Sequence, residues 1–193
     1  MKELKIMLEH MNFVSDYIKT ISKKLDTEKV QQLINEIINT KRIFLMGSGR
    51  SGLEARAFAM RLMHLGFDVH VVGDVAAPVP TKEDLVIIIS GSGKTRSIVD
   101  LGTEIKGKGS KMAIITTNND YSLILGDRAI IIPVIKEDID KDLQECFLPM
   151  GTLFEAVLHI FLDAIISELK YRTETTEASM KDRHILSEYV GIL

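Results

Sequence analysis

The chain has 193 residues, of which 46% are hydrophobic and 26% charged, enough for one domain with a buried core. A net charge of −3 with scattered lysines and arginines argues against a nucleic-acid-binding surface, and no apolar run reaches the ~18 residues of a membrane helix. The charged start, Met1-Lys2-Glu3, and a single cysteine, Cys146, lead us to expect a reduced, cytoplasmic protein that binds neither nucleic acid nor membrane.

Two amphipathic helices are predicted ahead of the first strand. The first carries a narrow apolar stripe for packing, either on its own domain or on another subunit. Its residues recur at alternating spacings of three and four: Leu4, Met7, Met11, Val14, Ile18, Ile21 and Leu25. Asp26 and Thr27 offer the N-cap of the second helix, whose apolar residues lie within 30–38.

Five short apolar runs, at 42–46, 69–72, 85–89, 112–115 and 129–132, predict strands. Because they are continuously apolar, we expect a sheet covered on both faces, as in parallel α/β proteins. Further helices are predicted near 53–64, 95–106, 152–171 and 177–189. The predicted fold is one α/β domain with a doubly wound, five-stranded parallel sheet. Residues 1–40 form its N-terminal helices, 41–173 its α/β core and 174–193 its C-terminal helix.

Two Ser/Gly-rich loops each join a predicted strand to a helix. The first loop, 47–52, reads Gly-Ser-Gly-Arg-Ser-Gly, and the second loop, 90–95, reads Ser-Gly-Ser-Gly-Lys-Thr. Parallel strands end at the same edge of a sheet, so both loops lie where such sheets bind ligands. Close backbone N–H groups, helix N-termini and hydroxyls suit a phosphate. The alternative is that these residues only shape tight turns.

Two nucleotide-binding motifs are alternative interpretations of these loops. The first loop matches the dinucleotide pattern G-x-G-x-x-G, and Asp74, 22 positions after Gly52, stands where an acid could bind a ribose. The second loop ends in Gly93-Lys94-Thr95, as a Walker A motif does, but the position that needs its first glycine is Ile88. An ATP-binding P-loop is therefore not expected.

At these loops the chain resembles the SIS (sugar isomerase) domain family. Within it, the blocks 49–52, 56–66, 90–93 and 149–155 resemble the 6-phospho-3-hexuloisomerase family. The resemblance implies an isomerase that interconverts 3-hexulose 6-phosphate and fructose 6-phosphate in the ribulose monophosphate pathway of formaldehyde fixation. It also implies a five-stranded parallel sheet, a homotetramer, and no metal or cofactor.

By this resemblance the two loops bind the substrate and Glu155 is the catalytic base. The predicted substrate-binding residues are Ser48, Gly49, Arg50, Ser51, Ser90, Gly91, Ser92, Gly93, Lys94 and Thr95. Ser48 and Lys94 depart from the alanine and glutamate of the family pattern, and Ala-Asn is missing after Arg183-His184. Thr152 and Glu155 also match a T-x-x-E capping box, which is the structural alternative for Glu155.

His64 is the predicted second catalytic group, for moving protons between the substrate oxygens. It ends the helix that starts at the first loop, roughly 18 Å away at ~1.5 Å per residue, so it suits a neighbouring subunit's site better than its own. His184 is a further candidate across an interface. The alternative for both is a structural role, since a histidine at a helix C-terminus is itself favourable. No Cys/His/Asp cluster has metal spacing.

Three further functions stay open at this point. The chain can be a sugar-phosphate sensor without catalysis, although its first 40 residues lack the basic face of a DNA-binding segment. It can be a nicotinamide-dependent oxidoreductase that uses the first loop and Asp74. It can also be another SIS isomerase, since no residue in the sequence indicates how many carbons the sugar has.

Overall fold

The computed structural model describes residues 4–118, 129–132 and 152–184. Predictions that concern Cys146, residues 149–151 and the tail from 185 lie outside the described residues. The elements, in chain order, are α1 (Lys5–Lys24), α2 (Thr27–Asn39), β1 (Ile43–Gly47), α3 (Gly49–Leu65), β2 (Val69–Val71), β3 (Leu85–Ile89), α4 (Arg96–Gly107), β4 (Lys111–Thr116), β5 (Ala129–Ile131), α5 (Thr152–Arg172) and α6 (Glu177–Asp182).

The two N-terminal helices form as predicted, and the apolar stripe of α1 divides into two halves. Val14, Ile18 and Ile21 pack on the core of the same domain, whereas Met7 and Met11 are exposed. The Asp26 carboxylate accepts a hydrogen bond from the Lys29 N–H at 3.1 Å and so caps α2. Packing on the same domain is therefore confirmed for the C-terminal half of the stripe.

The strands lie in the order β2-β1-β3-β4-β5, and every pairing is parallel. The chain leaves β1 for β2 on one side and returns to β3 on the other, so the direction of winding reverses between β1 and β3. Gly47 pairs with Ile89, so the two strands end level with each other. A crevice opens at such a reversal, outside the carboxyl ends of the strands.

Successive strand residues alternate between two cores, one on each face of the sheet. In β1, Ile43 and Leu45 face the larger core, and Phe44 and Met46 face the smaller one. The larger core takes its helical side chains from α1, α2, α3, α5 and α6, and the smaller one takes them from α4. The predicted parallel α/β sheet flanked by helices is confirmed. Among the described residues, no helix is long and apolar enough to cross a membrane.

Two helix boundaries differ from the sequence prediction. Helix α3 begins at Gly49 rather than near 53, and the Gly52 N–H donates to the Ser48 carbonyl at 3.3 Å. Arg50 and Ser51 therefore lie in its first turn. Helix α6 ends at Asp182, well short of 189, and the guanidinium of the next residue, Arg183, donates to the His64 carbonyl at 3.2 Å. Hydrophobic periodicity in the sequence cannot predict this tertiary contact.

A buried ion pair joins β1 and β3 at their amino ends. The Arg42 guanidinium donates to both carboxylate oxygens of Asp84, at 2.9 and 2.7 Å. The N–H and hydroxyl of Thr81 donate to Asp84 Oδ2 at 2.6 and 2.8 Å. The hydrogen bond from Arg42, with those from Thr81, lowers the pKa of the fully buried Asp84 to about 2.

Candidate active site

The first loop depends on glycine at two positions. A Cβ on Gly47 would lie 2.7 Å from the Ser51 carbonyl oxygen, and Gly49 adopts a φ of +58°. This close turn leads directly from β1 into α3, with Ser48 as the N-cap residue. The Ser48 side chain is exposed and makes no capping hydrogen bond. Backbone N–H groups of the first turn of α3 therefore lie beside a hydroxyl that can bind an anion.

The second loop forms a tight turn after β3. The Gly93 N–H donates to the Ser90 carbonyl at 3.2 Å, and Gly93 has a φ of +64°. Ser90 is buried, whereas Ser92, Lys94 and Thr95 are exposed. Thr95 is the N-cap residue of α4 and makes no side-chain capping bond. This loop therefore also presents hydroxyls, an ammonium group and a helix N-terminus at the same edge.

The end of β4 supports the second loop, a feature that the sequence analysis missed. The hydroxyl and N–H of Thr117 donate to the Gly91 carbonyl at 2.7 and 3.1 Å. The Asn118 amide donates to the Ser92 carbonyl at 3.1 Å. Their position in the sequence could have indicated this role, because Thr117 and Asn118 directly follow β4, the strand next to β3. They orient the loop through backbone carbonyls.

The first turn of α5 meets both loops, Glu155 at the first and Phe154 at the second. The Glu155 side chain is 14% exposed, and its Oε2 lies 3.7 Å from the Arg50 Nη2 of the first loop. Arg50 Nη1 also donates to the Thr152 hydroxyl oxygen at 3.2 Å. The neighbouring Phe154 ring covers Gly91 so closely that a Cβ there would lie 2.9 Å from Phe154 Cδ1.

The arrangement places a mostly buried carboxylate beside the first loop, with the adjacent Phe154 ring against the second. Glu155 Oε2 is buried and has no hydrogen-bond partner among the described residues. The described part of α5 begins at Thr152, so the T-x-x-E capping box stays the structural alternative for Glu155. A carboxylate so placed can exchange a proton with a ligand held by the loops.

The histidines lie at a different place. His64 is buried at the far end of α3, fourteen residues and roughly 21 Å along the helix from Arg50. Its ring stacks on His184 with centroids 4.9 Å apart. Burial, with the charges of His184 and Arg61, lowers the pKa of His64. The structure thus brings His64 and His184 together but does not bring either to Glu155 within one chain.

The two histidines line a pocket of about 420 Å³ that also has basic side chains, and its lining includes Arg61, Lys170 and Lys181.

Asp74, the ribose-binding acid of the dinucleotide hypothesis, accepts two hydrogen bonds from Arg56, at 3.2 and 2.6 Å. Among residues 4–118, 129–132 and 152–184, no three His, Cys, Asp or Glu side chains form a group that could hold a metal ion.

The SIS domain model matches residues 36–158, which include both loops and Glu155. The chain belongs to the SIS domain family. It is 39% identical to an uncharacterized protein of Archaeoglobus fulgidus, over 94% of this chain and 100% of that protein.

Two further relatives of this SIS domain carry functional descriptions. A Methanocaldococcus jannaschii protein named 3-hexulose-6-phosphate isomerase is 37% identical, over 92% of this chain and 96% of that protein. A crystal structure of a hypothetical protein from Methanococcus jannaschii, described as inferring a molecular function of 3-hexulose-6-phosphate isomerase, superposes with a TM-score of 0.81. Its identity is 37%, over 92% of this chain and 98% of that chain.

Proposed function

We propose that this chain is a sugar-phosphate isomerase that interconverts 3-hexulose 6-phosphate and fructose 6-phosphate. The observation that carries the proposal is the position of Glu155, a mostly buried carboxylate that faces Arg50 of the first loop and follows Phe154, whose ring covers Gly91 of the second. The choice of substrate is supported by the Methanocaldococcus jannaschii relative named 3-hexulose-6-phosphate isomerase, at 37% identity, and by the crystal structure described as inferring that function. The reaction needs a base next to a phosphate site, and this edge of the sheet offers both.

In this proposal the phosphate binds at the second loop, near the N-terminus of α4. Ser90, Ser92 and Thr95 donate hydroxyl hydrogen bonds, and Lys94 adds a positive charge. Each charge-assisted hydrogen bond contributes roughly 1.5–3 kcal/mol. The first loop binds the remainder of the substrate through Ser48, Gly49 and Ser51, and its Arg50 reaches the phosphate. Because β1 and β3 end level with each other, one small molecule can span both loops.

The proposed chemistry is proton transfer between adjacent carbons. Glu155 removes the proton from C2 of 3-hexulose 6-phosphate, and an enediolate forms across C2 and C3. The same carboxyl group returns the proton to C3, while the proton on O2 moves to O3, which leaves the carbonyl at C2. The net result is fructose 6-phosphate with no other reactant. Donors from the loops stabilise the charge on the two oxygens.

The proton transfer between oxygens is assigned to a neighbouring subunit. His64, which the lowered pKa keeps neutral near pH 7, can both accept and donate a proton, and His184 stacks beside it. The distance along α3 supports a site completed across an interface in a homotetramer. In the cell we place the enzyme in the cytoplasm, in the ribulose monophosphate pathway.

The test is the formation of fructose 6-phosphate from 3-hexulose 6-phosphate by wild type and by Glu155→Gln. We expect turnover to fall roughly 10²–10⁴-fold, the usual contribution of a general base, with substrate binding retained. Glu168→Gln is the matched control, because Glu168 lies on the same helix and pairs with Arg172 at 2.7 Å, away from the loops. Full activity in Glu155→Gln would remove Glu155 from the reaction. No turnover by wild type would refute the proposed substrate.

A further inference from the structure

Arg50 contacts the proposed base without binding it tightly. The Arg50 side chain is 50% exposed, and its Nη2 lies 3.7 Å from Glu155 Oε2, beyond the distance of a hydrogen bond. Arg50 Nη1 donates to the Thr152 hydroxyl at 3.2 Å. The arginine is therefore held here by one hydrogen bond and one longer ion pair, and the carboxylate oxygen that it faces is buried and has no hydrogen-bond partner among the described residues.

This contact opposes the chemistry that Glu155 would perform. When the carboxylate accepts a proton from carbon it loses its charge, and with it the attraction to the guanidinium. A phosphate group carries up to two charges on three oxygens and suits the forked donors of an arginine better than a half-satisfied carboxylate does. A phosphorylated ligand at this edge therefore competes for Arg50 with the base itself.

We propose that Arg50 exchanges partners when substrate binds, moving from Glu155 and Thr152 to the phosphate group. Glu155 is thereby released to act as a base only when a phosphorylated sugar occupies the site. This inference rests on the proposed function and deepens it. It makes Arg50 a positioning residue that couples recognition of the phosphate to activation of the base, in addition to its role as a phosphate ligand.

The experiment uses substrate divided into two pieces, free 3-hexulose and phosphite dianion, a small analogue of the phosphate group. In wild type, phosphite draws Arg50 away from Glu155, and we expect it to raise kcat/KM for free 3-hexulose at least about tenfold. In Arg50→Met the base is free from the start. That variant is expected to turn over free 3-hexulose faster than wild type does without phosphite, and to show no activation by phosphite.

The same variant is expected to lose activity toward 3-hexulose 6-phosphate by about 10–100-fold, because a charged hydrogen bond to the phosphate is gone. A merely structural arginine would instead lower both activities together, and a simple phosphate ligand would leave the turnover of free 3-hexulose unchanged. Either pattern would overturn the exchange. So would activation of Arg50→Met by phosphite to the wild-type extent, or no activation of wild type.

Arg56→Met is the matched control. Arg56 also lies on α3, is 54% exposed and pairs with a carboxylate, that of Asp74, at 2.6 Å. Its removal deletes an ion pair from the same helix outside the two loops. We expect both substrates and the phosphite response to behave as in wild type.

A binding readout separates this inference from the proposed function. The NMR signal of the Arg50 Nε–H group is followed while inorganic phosphate is added to wild type and to Glu155→Gln. Exchange predicts a shift of this signal in wild type, and saturation at lower phosphate in Glu155→Gln, where the carboxylate no longer competes. Equal affinity in the two proteins would overturn the exchange. Absence of turnover with a retained difference in affinity would refute only the proposed substrate.

Discussion

An arginine and a carboxylate lie together at each end of strands β1 and β3. The two residue pairs differ in the distance between the charged groups and in the number of hydrogen bonds that the carboxylate accepts. At the amino end, Arg42 and Asp84 make two hydrogen bonds of 2.9 and 2.7 Å, and Thr81 adds two more. At the carboxyl end, Arg50 and Glu155 approach to 3.7 Å, and one buried carboxylate oxygen has no hydrogen-bond partner among the described residues.

The comparison shows what each end of the strands is built for. A buried carboxylate that accepts four hydrogen bonds stabilises the fold, whereas one left short of donors costs free energy. Unused capping positions at Ser48 and Thr95 repeat the pattern at the carboxyl end. This difference supports the proposal that the polar groups at the carboxyl end bind a molecule that is not part of the chain.

The largest expected effect comes from breaking the amino-end pair with Asp84→Asn. Removing one partner of a largely buried ion pair is expected to lower the free energy of unfolding by roughly 3 kcal/mol. Because the folded pKa of Asp84 is about 2, below its ordinary 3.8, the wild-type stabilisation is present above pH 4 and is lost as the pH falls through 2. Urea unfolding at pH 7 and between pH 4 and 2 measures both effects.

Glu83→Gln is the control for this substitution. Glu83 is the adjacent residue, is 58% exposed and pairs with Lys41 at 3.1 Å. An exposed pair contributes less than about 1 kcal/mol. Equal losses for Asp84→Asn and Glu83→Gln would contradict the distinction between the buried and the exposed pair. The KM for sugar phosphate is expected to be unchanged in both variants.

At the carboxyl end, Gly91→Ala is expected to reduce activity more than stability. The added Cβ would lie 2.9 Å from the Phe154 ring, so the loop and the first turn of α5 must separate. A displacement of about 1 Å at the reacting groups costs up to about 100-fold in kcat/KM. Gly107→Ala is the control, since no heavy atom lies within 4 Å of its Cβ position. Steady-state kinetics with wild-type kcat/KM for Gly91→Ala would show that the contact does not position Glu155.

A smaller effect is expected when the support of the second loop is removed. In Thr117→Val the hydroxyl bond of 2.7 Å to the Gly91 carbonyl is lost, while the shape of the side chain is kept. One neutral hydrogen bond contributes about 1 kcal/mol, so KM should rise about fivefold with little change in kcat. Thr103→Val removes a comparable hydroxyl bond within α4, to the Val99 carbonyl at 2.8 Å, and should leave KM unaffected. A fall in kcat alone would contradict a role in binding.

The smallest effect concerns an exposed pair between α3 and α5. His159 Nδ1 lies 2.8 Å from Glu54 Oε2, and this hydrogen bond raises the pKa of His159. A raised histidine pKa stabilises the fold below pH 6.5, and the gain disappears as the pH rises through the folded value. Since His159 is half exposed, we expect less than about 0.5 kcal/mol. Thermal melts should show His159→Gln to be less stable than wild type at pH 6 and equal at pH 8.5. A constant difference at both pH values would exclude the protonation effect.

The amino-acid sequence was sufficient to predict the strands, because buried parallel strands are short apolar runs. The run at 85–89 coincides with β3, and both loops lie at the predicted edge. Local patterns could not predict where helices stop when a distant contact decides. Helix α6 ends where Arg183 reaches the His64 carbonyl, 119 residues away in sequence.

The same difference between local patterns and distant contacts applies to the candidate site. The serine loops were proposed from local motifs and Glu155 from the family resemblance, whereas the contact of Arg50 with Thr152 spans 102 residues and has no local signature. Thr117 and Asn118 were missed because polar residues at a strand end are common. His64 and His184 were predicted separately, and the stacking that joins them depends on the docking of α6.

The hydrogen bonds from the end of β4 to the second loop have a consequence for protein engineering. The carbonyls of Gly91 and Ser92 are held by Thr117 and Asn118, so the shape of the loop is not a property of its own six residues. A graft of residues 90–95 into another parallel sheet would carry the phosphate donors without their support. The smallest transferable unit is the pair of segments 90–95 and 116–118, on two adjacent strands in their native register.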